Sequence, residues 1–231
     1  RENGFSLLVK SQAATEALSL AEAIRVFRLV VLISGNGTNL QAIIDACTSG
    51  TLSVEVISVI SNEPDAFGLN RARDANIPTQ TLDHRAFAQR TDFDQALEAL
   101  VDSYEPDLIV LAGFMRVLGE DFVRHFLGRM MNIHPSLLPN YPGLNTHERV
   151  LADGATEHGA TVHFVTTELD GGPQIVQERV SVRPDDTPSS LAARIHQIEH
   201  EIYPRAIGWF AEGRLCMKDD CSFLDKMPIK P

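Results

Sequence analysis

Three side chains carry most of the chemical information in this chain. Asn132 and His134 lie in Met131-Asn132-Ile133-His134-Pro135-Ser136-Leu137-Leu138-Pro139, and Asp170 lies in Leu169-Asp170-Gly171-Gly172. The apolar run over 129–133 ends at the histidine, and the prolines behind it force a loop, because proline cannot continue a strand ladder. A polar pair at a strand end beside a rigid loop is where α/β enzymes place reacting groups. Histidine gives and takes protons near neutral pH. An asparagine amide donates to a developing oxyanion without titrating. A buried carboxylate holds an imidazole charged and oriented. The three together suit acyl-type transfer through a tetrahedral intermediate. Each alone has a plainer reading: a loop histidine is more often packed than catalytic, and Asp before Gly-Gly favours a turn.

Such a set needs a frame, and the hydrophobic pattern supplies one. Strands are expected over 28–34, 54–60, 78–82, 108–112 and 130–133, separated by helical patterns over 38–47, 67–75, 92–104 and 120–126. The continuous apolar runs mark a mostly parallel sheet with helices on both faces. A further helix is expected within 143–153. The rhythm then changes. Residues 159–166 and 174–182 alternate apolar and polar around the Asp170-Gly171-Gly172-Pro173 turn, as in an antiparallel pair added to the parallel sheet. Thr187 as N-cap and Pro188 at the first helical position open a long helix running to about Phe210. Residues 214–217 suit a last strand, and the Lys- and Pro-containing segment 219–231 reads as a loose tail. The fold class is α/β, with one domain over 27–218 and right-handed crossovers.

Between the first strand and first helix lies Ser34-Gly35-Asn36-Gly37-Thr38-Asn39-Leu40. Glycines there let the backbone turn and approach a ligand, and the free N–H groups of the helix start point toward an anion. The motif is neither GxGxxG nor a P-loop, and glycine in such a turn also serves packing alone. Arg71 and Arg73 read as a solvated helix face.

Composition narrows the classes. The chain has 231 residues, 44% of them hydrophobic, and a formal net charge of −11. That suits one domain with a sizeable core and argues against a nonspecific nucleic-acid or membrane binder. Cys47, Cys216 and Cys221 are too few and too scattered for a disulfide framework or a zinc site, which suits a reducing, cytoplasmic setting. His158 and His163 have no coherent ligand spacing, so structural roles are favoured over metal, with His163 expected to hydrogen-bond near the site. Residues 1–26 read as an extension outside the domain with helical spacing; Glu16 and Glu22 interrupt it and disfavour a secretory or transit peptide.

SGNGTNLQAIIDA, SNEPDAFGLNRA, VLAGFMRVL, MNIHPSLLPNYPGL, HGATVHFVTTELDGGP and EHEIYPRAI, in this order and spacing, resemble the folate-dependent phosphoribosylglycinamide formyltransferases over roughly residues 27–218. The resemblance implies a Rossmann-like formyltransferase domain that moves a formyl group from 10-formyltetrahydrofolate to the amine of glycinamide ribonucleotide, with no metal. It implies Asn132, His134 and Asp170 as the catalytic trio. Gly37, Thr38 and Asn39 would bind the nucleotide phosphate, and Glu199 would meet its ribose. His196, three residues earlier on the same helix face, stands where a neutral polar residue is common and would tune ribonucleotide affinity. The pterin and formyl end of the folate would rest on Met115, Arg116, Val117 and Leu118, with Arg90, Val165, Thr166 and Leu169 contributing. The small-molecule partners leave monomer and homodimer equally open.

One departure stands out. Asn145, in Gly143-Leu144-Asn145-Thr146-His147, occupies the first of two positions where the family commonly has His, and asparagine cannot carry charge. Other readings fit less well. A transfer-RNA formyltransferase is expected to carry a further C-terminal domain and a basic surface. A formyltetrahydrofolate hydrolase usually carries an N-terminal regulatory domain. A dinucleotide oxidoreductase would show GxGxxG and an acidic residue ending the second strand. A catalytically dead nucleotide-binding module would not need the intact trio.

Overall fold

Alternate residues of the first strand enter different cores, which is why it reads as an unbroken apolar run. The computed structural model describes residues 25–229, so the expected N-terminal extension lies almost wholly outside the described residues. Strand β1 (Arg28–Ile33) sends Leu29, Val31 and Ile33 to one face and Val30 and Leu32 to the other, all fully buried. At roughly 1.5–3 kcal/mol for each such side chain, burial on both faces is a strong constraint on the centre of the sheet.

The chain then alternates as expected: α1 (Thr38–Thr48), β2 (Glu55–Ser61), α2 (Gly68–Asp74), β3 (Thr79–Thr81), a 3₁₀ turn (His84–Ala86), α3 (Arg90–Asp102), β4 (Leu108–Leu111), α4 (Glu120–His125) and β5 (Met130–His134). There follow α5 (Thr146–Ala152), β6 (Glu157–Phe164), β7 (Gln174–Ser181) and α6 (Pro188–Ala211). The seven strands form one sheet in the order β3-β2-β1-β4-β5-β6-β7. β1 to β5 are parallel, and β6 runs antiparallel to both β5 and β7. The chain winds outward from β1 through β3, then returns to the other side of β1 with β4. Open α/β sheets bind ligands at such a reversal, outside the carboxyl ends of the strands.

Helix α6 starts as its sequence predicts. Thr187 Oγ1 accepts the Ser190 amide at 3.2 Å, Ser190 Oγ accepts the Thr187 amide at 3.0 Å, and Pro188 opens the helix. Two turns from its C-terminal end, fully buried Tyr203 directs its hydroxyl at the carbonyls of Leu111 and Met131, at 2.9 and 3.0 Å. This fastens α6 to β4 and β5 directly beneath the site.

One expectation is corrected. The segment after residue 218 is not a loose tail: β8 (Leu215–Lys218), β9 (Cys221–Leu224) and β10 (Met227–Pro228) form a separate antiparallel sheet. Two tight turns connect them, with Asp219-Asp220 and Asp225-Lys226 all at positive φ, as in two-residue hairpins. Hairpin turns of this kind are usually signalled by Asn-Gly or Asp-Gly, so these pairs gave no such cue. No helix among the described residues is long and apolar enough to cross a membrane.

Candidate active site

The glycine loop follows β1 at the reversal in strand order. Gly37 takes φ +74°, and a Cβ there would sit 2.7 Å from the Cα of Gly68, so only glycine fits the approach of this loop to α2. α1 begins at Thr38 with no side-chain cap, which leaves its first-turn amides without a capping side chain among the described residues. Arg71, expected on a solvated face, instead braces the loop. Its Nε donates to Asn36 O at 2.8 Å, and its terminal nitrogens donate to Asn36 Oδ1 at 2.9 Å and Gln41 Oε1 at 3.2 Å. Arg73 stays exposed.

Asn39, one residue into α1, donates from Nδ2 to Glu199 Oε2 at 2.9 Å, so α6 meets the loop through Glu199. Burial pushes the Glu199 carboxyl up to about 7, against the pull of the Asn39 hydrogen bond. Asn39 Oδ1 is buried with no partner among the described residues. His196 does not join this pair; it is exposed and stacks parallel to His200 with ring centroids 6.3 Å apart.

The end of β5 carries the trio. Asn132 and His134 alternate with core residues Met131 and Ile133, and the antiparallel β6 sets His163 opposite Asn132. Asp170 enters from the loop between β6 and β7 at φ +53°. His134 Nδ1 lies 3.4 Å from Asp170 Oδ2, and its Nε2 lies 2.9 Å from Tyr141 O. Both ring nitrogens therefore face acceptors, and a ring carrying both protons satisfies both. The side chains of His134 and Asp170 are each only 7% exposed, so little water screens the pair. Asp170 Oδ2 also accepts the Gly143 amide at 2.8 Å.

His163, expected in a structural role with a hydrogen bond near the site, has Asn132 as its partner. Its Nδ1 faces Phe164 O at 2.8 Å, which makes it the donor nitrogen of a neutral ring, and burial pushes this histidine toward the neutral form. Nε2 is then an acceptor and takes Asn132 Nδ2–H at 3.2 Å. The contact fixes which end of the amide is nitrogen and leaves its second N–H free to donate. His158, an odd number of residues away on β6, leaves by the opposite face and bonds His147 at 3.0 Å. Its pKa is pushed down to about 4, chiefly by burial.

Tyr141, Gly143 and Asn145 all have positive φ, and Asn145 is the N-cap residue of α5 at φ +56°. Asparagine is among the few residues that adopt this conformation readily. The residue that departs from the expected histidine is thus compatible with the backbone it occupies.

The remaining expected positions lie in the loop after β4, at the start of α3 and in the loop after β6. Met115 and Val117 are exposed, as is Leu169. Arg116 lies over the ring of Phe93 at 4.5 Å, with its Nε unpartnered among the described residues. Leu118 is buried and belongs to the second core with Phe93 and Phe122. Arg90, the first residue of α3, pairs with Asp94 at 3.6 Å, and Asp94 accepts the Gly119 amide at 3.0 Å. Val165 donates its amide to Met130 O at 2.9 Å, which holds the start of the 165–170 loop against β5, and Thr166 is half-buried beside it.

An α/β sheet with a glycine loop at its reversal in strand order, and with Asn132 and His134 of β5 brought together with Asp170 of the β6–β7 loop, is a frame suited to group transfer. The family model described as formyl transferase matches residues 27–207, and the chain belongs to that family. Its relatives narrow the branch. It is 54% identical over 203 residues to the phosphoribosylglycinamide formyltransferase of Escherichia coli (strain K12), spanning 88% of this chain and 96% of that one. Identity to the enzyme of the same name from Haemophilus influenzae is 48%, over 86% and 93% of the two chains. The solved phosphoribosylglycinamide formyltransferase of Coxiella burnetii superposes with a TM-score of 0.86 at 57% identity, covering 89% of this chain and 97% of that one.

Proposed function

We propose that this chain is an enzyme that transfers the formyl group of 10-formyltetrahydrofolate to the amine of glycinamide ribonucleotide, the formyl-transfer step of purine synthesis. The observation that carries the reading is the juxtaposition of Asn132, His134 and Asp170, with both His134 nitrogens on acceptors and the amide of Asn132 oriented by His163.

In this reading the substrate amine attacks the formyl carbon, and the carbonyl oxygen becomes an oxyanion. The free N–H of Asn132 and a protonated His134 donate to it, His134 Nε2 exchanging the Tyr141 carbonyl for the developing charge. A preorganised donor of this kind is typically worth about 10²–10³ in rate. The carbon–nitrogen bond to the folate then breaks. The amine proton passes through a water held by Asp170 to the departing folate nitrogen, so no proton is gained or lost overall. The glycine loop and α1 amides take the phosphate, braced by Arg71. Glu199 and the unpartnered Oδ1 of Asn39 meet the ribose hydroxyls. Met115 to Leu118, Arg90 and the 165–170 loop take the folate. A cytoplasmic setting goes with this reading and with the three free cysteines.

The test is ribonucleotide-dependent deformylation of 10-formyltetrahydrofolate. Deformylation without ribonucleotide would point to a hydrolase instead.

A further inference from the structure

Ser34 is the last residue before the glycine loop, and its hydroxyl is shared between two loops on opposite sides of the reversal in strand order. Oγ donates to Asn62 Oδ1 at 2.5 Å and accepts the Met115 amide at 2.8 Å. The Ser34 amide itself donates to Gly113 O at 3.0 Å. Residue 34 therefore grips both ends of the bend from Gly113 to Met115. A hydroxyl has one proton to give. Asn62, buried at the end of β2, takes that proton and so turns a lone pair of Oγ toward the Met115 N–H.

We propose that Ser34, oriented by Asn62, is a positioning residue that couples the two substrate sites. It rests on the reading above, in which the loop from Gly37 takes the ribonucleotide and the loop from Met115 takes the folate. A ligand that orders one loop immobilises Ser34 and with it the anchor of the other loop. The second ligand then has less ordering left to do, so each substrate tightens the other. Linkage requires the effect to be equal in both directions.

The experiment uses the full chain with glycinamide ribonucleotide and tetrahydrofolate, which lacks the formyl group and so permits no transfer. Calorimetric titration gives the ribonucleotide Kd alone and at saturating tetrahydrofolate. In the unmodified protein the folate is expected to tighten ribonucleotide binding about 5-fold or more. In Ser34→Ala and Asn62→Leu the ratio is expected to fall to within about twofold of unity. Ser34→Thr keeps the hydroxyl and is expected to keep the coupling. Undiminished coupling in Ser34→Ala, or none in the unmodified protein, overturns the inference. The transfer assay separates the two levels. Ribonucleotide-dependent turnover without coupling sinks only the role of Ser34, whereas absence of that turnover sinks the functional reading beneath it.

Discussion

Asp170 Oδ2 lies 3.4 Å from His134 Nδ1 and accepts the Gly143 amide at 2.8 Å, so one carboxylate oxygen both faces the histidine and holds the loop that covers its other nitrogen. That loop contributes Tyr141 O to His134 Nε2. The charge of Asp170 and the placement of the loop are separable by substitution. Asp170→Asn retains an oxygen for the Gly143 amide but removes the charge. It is expected to lower kcat by about 10²–10⁴-fold with little change in either KM, the range typical of lost acid–base assistance. Near-normal turnover in steady-state assays would remove Asp170 from the proton path.

His163 acts through Asn132 rather than on substrate. Replacing it with Leu removes the acceptor that orients the amide. The expected result is a fall in kcat of about 10-fold, the scale on which supporting hydrogen bonds around a site act. Asn132→Ala should cost about 10²–10³. Combined in one chain, the two losses should not add, because His163 has nothing left to orient. Additive losses would show that the two residues work independently.

Arg71→Met removes three hydrogen bonds to Asn36 and Gln41, together with the guanidinium that lies 5.0 Å over the Phe67 ring. With each of these hydrogen bonds worth roughly 1 kcal/mol net to the shape of the loop, KM for the ribonucleotide should rise about 10-fold or more. KM for the formyl donor should change much less, and initial-rate kinetics varying each substrate in turn would separate the two.

Glu199 gives a pH signature. Its carboxyl is held at about 7 in the folded chain against an ordinary 4.5, because burial disfavours its charge. The folded state therefore binds this proton more tightly than the unfolded state. Its contribution to stability is fully present below pH 4.5 and is lost as pH rises through 7, a swing of roughly 3 kcal/mol. Glu199→Gln should flatten that part of the stability profile in denaturant titrations. Ionised Glu199 is the better acceptor for ribose hydroxyls, so KM for the ribonucleotide should fall between pH 6 and 8, and Glu199→Gln should lose that dependence.

The frame was legible because its causes are local. β1 and β4 read as buried strands from their apolar runs, and the Thr187-Pro188 start of α6 followed from capping chemistry. His134 was placed at a strand end by the prolines behind it. The misses have long-range causes. Arg71 reaches Asn36 across 35 residues, and nothing in the order of residues says that α2 abuts the glycine loop. The pairing of His163 with Asn132 depends on the antiparallel register of β6 on β5. The last hairpins rest on positive φ at Asp and Lys, which local signals do not advertise.

Tyr203→Phe tests the fastening beneath the site. The hydroxyl is fully buried between two carbonyls, and its loss should cost about 1 kcal/mol and lower Tm by about 2–4 °C. An unchanged Tm would show that the sheet alone fixes the ends of β4 and β5.

The most direct test of the central claim is spectrophotometric transfer from 10-formyltetrahydrofolate, with and without glycinamide ribonucleotide, in the unmodified protein and in His134→Ala. The account predicts deformylation that requires the ribonucleotide and is lost in His134→Ala. Deformylation indifferent to the ribonucleotide, or undiminished without His134, would contradict it.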